Sequence, residues 1–227
     1  MWSKRSSTST AWRRDRATLS SANSVIARLA AAAGVQKVPS PKLDLFIMRD
    51  FLEPDLRAAI IEQIERQRRP STIADDSGIA NYRTSETCDL DRADPAAAEV
   101  DRRICSLLGL DPSLGEPIQG QRYAAGQEFR VHTDTFNPGG YDYYVHTAEG
   151  GQRTWTAMIY LNEPDDGGAT RFKTIGKTVQ PEAGKLLAWN NLLPDGSPNP
   201  ATLHQGMRVR RGVKFIITKW FRERPRD

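Results

Sequence analysis

The stretch Tyr123-Ala-Ala-Gly-Gln-Glu-Phe-Arg-Val-His-Thr-Asp-Thr-Phe136 ends by setting an imidazole and a carboxylate two residues apart, at His132 and Asp134. Successive side chains of an extended strand point to opposite faces, so positions 132 and 134 face the same way. Together they offer two ligands to one divalent metal ion and leave its coordination shell incomplete. A His-x-Asp pair also occurs in surface turns and ordinary hydrogen-bonded pairs. What decides between these readings is whether the chain delivers a second histidine to the same face.

Working outward, the sequence after residue 115 is a series of short apolar or alternating runs at 118–123, 128–132, 154–161, 169–174, 186–189, 203–209 and 213–221. Gly- and Pro-rich clusters separate them: Pro138-Gly-Gly140, Gly150-Gly151, Asp165-Asp-Gly-Gly168 and Pro194-Asp-Gly-Ser-Pro-Asn-Pro200. Many short strands punctuated in this way predict a sandwich or jelly roll. Upstream, the signals are helical. One helix is predicted over 19–34, with Ser20 or Ser21 as N-cap and Gly34 as the stop. A short strand follows at 43–46. Pro54 then opens a second helix, whose Leu56, Ile60 and Ile64 form an apolar stripe. A third runs from Pro95 to about Leu108, capped by Asp94 and ended by Gly109. Helices first and strands afterwards make the fold α+β.

Pro39 and Pro41 mark the predicted boundary between a basic arm, 1–40, and a domain, 41–227. The arm holds seven Lys/Arg against one acid, whereas the rest holds 25 basic and 27 acidic side chains. A nucleic-acid reading would therefore have to rest on the arm, and the default for such a Ser/Thr-rich basic segment is a solvated tail. It has the bias of an organellar transit peptide without a clear cleavage signature. No apolar run approaches the ~20 residues of a membrane span. Cys88 and Cys105 lack metal-type spacing and read as reduced thiols of a cytoplasmic protein. Nothing in the sequence specifies an oligomeric state.

The chain has three histidines, so the missing ligand is His146 or His204. His146 sits in the connection Gly139-Gly-Tyr-Asp-Tyr-Tyr-Val-His-Thr-Ala-Glu-Gly-Gly151, a place for a lid or an exposed side chain. His204 opens a late strand, and in a jelly roll a late strand can lie beside an early one. We therefore assign His204, giving two histidines and one carboxylate with open positions opposite, the ligand set of non-haem Fe(II) oxygenases.

Ten residues further on, Lys214 stands in Gly212-Val-Lys-Phe-Ile-Ile-Thr-Lys-Trp220. Alternation places Lys214, Ile216, Thr218 and Trp220 on one face and Val213, Phe215, Ile217 and Lys219 on the other. By itself Lys214 could reach solvent from an edge strand. On a central strand it is costly to bury unless an anion meets it. A ligand chelating the metal at one end and meeting Lys214 at the other has the shape of 2-oxoglutarate.

From about residue 41 to residue 224 the chain resembles a prolyl 4-hydroxylase-type Fe(II)/2-oxoglutarate dioxygenase of the compact bacterial kind. The resemblance rests on Arg83-Thr-Ser85, Arg122-Tyr-Ala-Ala-Gly-Gln127, His132-Thr-Asp134, Gly150-Gly-Gln-Arg-Thr154 and Tyr160-Leu-Asn162. It continues through Gly167-Gly-Ala-Thr-Arg-Phe172, Gly184-Lys-Leu-Leu-Ala-Trp189, Asp195-Gly-Ser-Pro198, His204-Gln-Gly206 and Gly212 to Trp220. Each motif is weak alone; their order and spacing together are specific.

The resemblance implies a double-stranded β-helix (jelly-roll) core with helices packed outside the larger sheet. It implies Fe(II) held by His132, Asp134 and His204, with 2-oxoglutarate and O2 as co-substrates and ascorbate supporting activity. Lys214 would meet the distal carboxylate of 2-oxoglutarate, with Tyr160, Tyr123 and Thr218 nearby. Arg83, Ser85, Arg153 and Trp220 would help hold substrate. The reaction implied is hydroxylation of a C–H bond, of a prolyl residue in a peptide or protein, with succinate and CO2 as co-products. By their position in the sequence, segments 70–92 and 137–153 flank the mouth and are expected to act as lids that order with substrate.

Four positions depart from the pattern: Phe129, where many relatives have tyrosine; Ala169, in place of an acid; Met207, where proline is frequent; and Arg222, in place of a histidine. All are assigned to the substrate side. Three other readings stand beside the peptide one. The substrate could be a free amino acid or small metabolite. It could be a nucleic acid, against which Lys214 counts, because DNA-demethylating relatives use arginine there. Lastly, the chain could be a metal-free jelly-roll binding module, against which the complete triad counts.

Overall fold

The computed structural model describes residues 16–71, 82–140 and 143–226. Helix α1 (Arg16–Ala31) leads into strands β1 (Val35–Lys37) and β2 (Leu45–Met48). Helix α2 (Pro54–Gln67) opens on Pro54, with Glu53 at its N-cap, and buries Ile60, Gln63 and Ile64. Strands β3 (Arg69–Pro70) and β4 (Glu86–Asp89) follow. The Asp94 side chain accepts from the amides of Ala96 and Ala97 to start helix α3 (Pro95–Leu108), and Gly109 ends it at φ 68. A left-handed closing residue favours glycine because it lacks a Cβ.

The remaining strands are β5 (Gln119–Tyr123), β6 (Phe129–His132), β7 (Arg153–Tyr160), β8 (Asp166–Gly167), β9 (Thr170–Phe172) and β10 (Lys177–Val179). After them come β11 (Leu186–Asn190), β12 (His204–Gly206), β13 (Val209–Arg211) and β14 (Lys214–Arg222). A six-residue helix, α4 (Tyr143–Ala148), lies between β6 and β7.

The strands form an eight-stranded sheet in the order β1-β2-β11-β7-β14-β5-β4-β3 and a four-stranded sheet in the order β10-β9-β12-β6, with a separate β13-β8 pair. One apolar cluster joins residues of both sheets: Leu45, Met158, Tyr160, Leu187, Trp189 and Ile216 from the large one, Phe172 and Val179 from the small one. A second joins the other face of the large sheet to the helices, through Ile60, Ile64, Val100, Ile104, Ile159, Ile217 and Phe221. This is the expected jelly-roll core with helices on its larger sheet. The central strand β14 is buried along its whole length because both of its faces are covered. Helix α2 lies so close to β5 that a Cβ added at Gly120 would sit 2.5 Å from Ile64 Cγ1.

Two sequence expectations change. The body of the fold crosses the boundary placed at Pro39 and Pro41. Val25 and Leu29 of α1 are buried in the same cluster as Val100 and Ile104 of α3. Arg28 donates to the carbonyls of Ser106 and Leu107 at the end of α3, and β1 pairs with β2 across the prolines. The helix placed over 19–34 runs from Arg16 to Ala31, and Gly34 instead turns the chain into β1 at φ 79. Residues 1–15, with Lys4, Arg5, Arg13 and Arg14, lie outside the described residues. Second, the stretch 70–92, expected as a lid, holds a strand of the large sheet, since Glu86–Asp89 pairs with β5. Residues 72–81 lie outside the described residues. Both cysteines are buried free thiols, and burial pushes each up to about 11, away from thiolate chemistry. Among the described residues no helix is long and apolar enough to cross a membrane.

Candidate metal centre

Strand β12 pairs antiparallel with β6 so that His204 and His132 are Cα partners. Asp134 stands two residues beyond the end of β6, in the turn that leaves the sheet. One ligand atom from each of His132, Asp134 and His204 lies within 4.8 Å of the others. Among the described residues no second group of three such side chains converges. The third histidine is elsewhere: His146 on α4 stacks on Phe136, with ring centroids 5.0 Å apart.

The backbone sets the two imidazole tautomers. His132 Nδ1 lies 2.7 Å from the Arg130 carbonyl and His204 Nδ1 lies 2.8 Å from the Thr202 carbonyl. A carbonyl only accepts, so each Nδ1 carries its proton and each Nε2 is left with a free lone pair. Burial, reinforced by His204, pushes His132 down to about 3 and keeps it neutral. For Asp134, burial acts to raise the carboxyl, but the two histidines, Arg153 and Thr156 outweigh it and hold the group below its usual value. Two imidazole Nε2 atoms and one carboxylate suit a divalent ion bound on one side only.

The trio opens into a cavity that Tyr123, Met158, Thr170, Trp189, Lys214, Ile216 and Thr218 also line. Lys214 is 1% exposed. Its Nζ lies 5.0 Å from the centre of the Tyr123 ring and 5.3 Å from that of Tyr160. Among the described residues no carboxylate or other acceptor meets it, and burial alone pushes the ammonium down to about 7. A cation buried without a counter-ion, at the wall of the cavity that holds the trio, is a seat for an anionic ligand group. The Tyr123 hydroxyl donates to Gln121 Oε1 at 2.6 Å, and Gln121 Nε2 donates to Thr218 Oγ1 at 3.2 Å. Tyr160 stands behind the wall, with its hydroxyl held by Thr170 Oγ1 at 2.6 Å and by the Val179 carbonyl at 3.2 Å. Thr170 lines the cavity where Tyr160 does not. The sequence reading passed over both Thr170 and Gln121, although alternation along Thr170-Arg-Phe172 puts Thr170 on the inward face with Phe172.

Of the four residues assigned to substrate, Arg83 and Trp220 line the cavity and Ser85 and Arg153 do not. Arg83 lies 4.8 Å over the Phe129 ring and donates to Ser85 Oγ and Gln119 Oε1. Ser85 is buried behind it, 2.9 Å from Ser71 Oγ. Arg153 makes a two-pronged contact with Glu116, at 2.7 and 2.8 Å, and stacks 3.9 Å over Trp220. Glu116 also accepts from Arg222 Nε at 2.5 Å, and Arg222 Nη1 reaches the carbonyls of His146 and Gly151. Burial acts to raise the Glu116 carboxyl, but Arg153 and Arg222 outweigh it and hold it below its usual value. Arg222 thus ties the α4 segment to the sheet. Phe129, which the sequence places on the substrate side, packs face to face on His132 with centroids 3.5 Å apart.

Residues 118–222 match the family described as the 2OG-Fe(II) oxygenase superfamily. The chain is similar to human prolyl 4-hydroxylase subunit alpha-1, 29% identical over 185 residues that cover 81% of this chain and 33% of that protein. It is also 29% identical over 203 residues to probable prolyl 4-hydroxylase 10 of Arabidopsis thaliana, covering 78% of this chain and 68% of that one. The chain thus spans about a third of the length of the animal relatives it matches. Two solved structures share its fold. The 2OG complex of the viral collagen prolyl hydroxylase from Paramecium Bursaria Chlorella virus-1 has a TM-score of 0.62 and 22% identity, covering 78% of this chain and 95% of that one. A Pseudomonas putida prolyl-4-hydroxylase has a TM-score of 0.56 and 22% identity, covering 88% and 97%. Residues 118–222, which carry the His-Asp-His trio, are thus similar to the 2OG-Fe(II) oxygenase superfamily, and the relatives to which the chain is similar are prolyl 4-hydroxylases.

Proposed function

We propose that the protein hydroxylates a prolyl residue in a peptide or protein, with Fe(II) bound by His132, Asp134 and His204 and 2-oxoglutarate lying between that ion and Lys214. The observation that carries the reading is Lys214, a buried cation with no acceptor among the described residues, on the cavity that the trio also lines. Bound iron, with 2-oxoglutarate and O2, supplies the oxidising chemistry that converts a C–H bond to C–OH and releases succinate and CO2.

The residues of the chain orient and enclose. The two Nε2 lone pairs and the Asp134 carboxylate face one point. Lys214, flanked by Tyr123, Thr170 and Thr218, fixes the distal carboxylate of the co-substrate and thereby the direction of its keto acid end. Trp189, Met158 and Ile216 keep that end of the cavity apolar. Arg83 and Trp220 contact the substrate, while Arg153 and Ser85 support them from behind. The α4 segment closes over the mouth, held by Arg222.

A free amino acid is the second reading, because the half-buried Arg83 guanidinium on the cavity wall would also meet a free carboxylate. The test incubates the protein with Fe(II), ascorbate and 2-oxoglutarate, together with proline-containing peptides or free proline. Mass spectrometry then looks for the gain of one oxygen. The expected product is a hydroxylated peptide. Oxygen on free proline alone would move the substrate to the second reading, and a protein that neither binds 2-oxoglutarate nor forms succinate would overturn both.

A further inference from the structure

The Asp134 carboxylate has two oxygens with different neighbours. Oδ1 faces His132, 4.0 Å from Nε2. Oδ2 lies 2.7 Å from Thr156 Oγ1, and that hydroxyl lies 2.8 Å from Asn191 Nδ2. Thr156 and Asn191 are both 0% exposed. Thr156 belongs to β7, and Asn191 follows directly on its ladder partner β11, in which Asn190 pairs with Trp155.

Chemistry gives each of these bonds its direction. An ionised carboxylate only accepts, so Thr156 must give it the hydroxyl proton. The hydroxyl oxygen is then left to accept, and Asn191 must present its nitrogen. The amide orientation is thereby fixed, and it leaves Asn191 Oδ1 buried without a partner among the described residues. Buried unsatisfied acceptors are rare in folded proteins and call for a reason. Here the reason is the demand made by the hydroxyl, so the chain Asn191→Thr156→Asp134 runs one way and ends on the ligand.

We infer that Thr156 and Asn191 are positioning residues of the metal centre, which keep Asp134 a one-oxygen ligand. Thr156 holds Oδ2 from the β7 side, so the carboxylate is kept from turning and Oδ1 is the oxygen presented beside His132. A carboxylate free to turn could bind through both oxygens and occupy a position that the co-substrates need. The inference rests on the iron-site reading given above and assigns to two residues outside the trio control over how many positions stay open. Neither residue touches substrate, so both act through Asp134.

The test uses Co(II), whose visible absorption reports coordination number and geometry, titrated into the full-length protein without 2-oxoglutarate. Thr156→Val keeps the side-chain shape and removes the donor; Thr156→Ser restores it. Wild type and the serine variant are expected to give the same spectrum and affinity. The valine variant is expected to bind roughly 10–100-fold more weakly, as partners of metal ligands typically cost when lost, with altered absorption bands. Thermal unfolding of the metal-free proteins shows which variants fold. Should Thr156→Val not fold, Asn191→Asp serves, since it cannot donate to Thr156 and is expected to weaken binding in the same way. A folded valine or aspartate variant with wild-type Co(II) affinity and spectrum overturns the relay and leaves the metal centre standing. A wild-type protein that binds no Co(II) overturns the metal centre itself, and the relay with it.

Discussion

His132 and His204 are cross-strand partners, in register on β6 and β12, with ring centroids 4.3 Å apart. The backbone ladder brings them together and the Arg130 and Thr202 carbonyls orient them through Nδ1. Replacing either should therefore remove chemistry and spare the fold. His132→Ala is expected to abolish substrate-stimulated succinate formation while the metal-free protein still unfolds cooperatively. Full turnover by that variant would sink the ligand assignment.

Lys214→Met keeps the length of the buried side chain and removes its charge. Losing one partner of a buried, hydrogen-bonded charge pair costs about 2–5 kcal/mol, which is roughly 30-fold or more in 2-oxoglutarate affinity. Metal affinity should not change, because Lys214 does not contact the trio. Calorimetric titrations with Co(II) and with 2-oxoglutarate separate the two effects.

The same lysine sets a pH dependence. Its folded-state value, about 7, lies below the ordinary 10.5. Between these values the unfolded chain holds more protons than the folded one, so stability without ligand rises with pH across that window. Binding a carboxylate favours the charged form, so at pH 8 2-oxoglutarate should bind with uptake of a proton and weaken as pH rises further. Calorimetry in two buffers of different ionisation enthalpy measures the uptake, and Lys214→Met should show none.

Glu116 lies between the buried guanidinium of Arg222 and the half-buried one of Arg153. Glu116→Gln leaves Arg153 and Arg222 without their counter-charge and should destabilise the protein by about 3–5 kcal/mol. Because the folded-state carboxyl lies below its ordinary 4.5, its contribution is present above that value and is lost as pH falls through the folded one. Urea unfolding curves of wild type and variant should therefore lie far apart at pH 7 and converge in acid.

At Gly120 the packing of α2 on β5 leaves no room for a methyl group. Gly120→Ala must push Ile64 aside and is expected to cost about 1–3 kcal/mol, read by the same unfolding experiment, with Co(II) affinity retained.

How much of this was legible in the sequence follows from the range of the interactions. Helix α3 was readable to the residue, because Asp94 caps two amides within three residues of itself and Gly109 closes the other end. Alternation along β14 correctly divided Lys214, Ile216, Thr218 and Trp220 from Phe215, Ile217 and Lys219, because a central strand covered on both faces keeps a strict period. The run 203–209 was read as one strand but is two: β12 pairs with β6 and β9, whereas β13 pairs with β8. Glu116 gave no local signal, since its partners lie 37 and 106 residues away. Arg28 likewise meets carbonyls 78 and 79 residues on, so nothing near it in sequence says that α1 belongs to the body. Arg153 matched a motif, and the structure shows its guanidinium engaged by that unseen carboxylate.

Strand β14 serves two neighbourhoods at once. Lys214, Thr218 and Trp220 look into the cavity, and Phe215, Ile217 and Phe221 look towards the helices, where Lys219 also meets Asp101. Inserting or deleting one residue would exchange the two sets, turning phenylalanines and Lys219 into the cavity and Lys214 out of it. Changes at the rim of the cavity, as at Arg83, leave this register intact. The site has one part that cannot slide and a rim that can be rewritten.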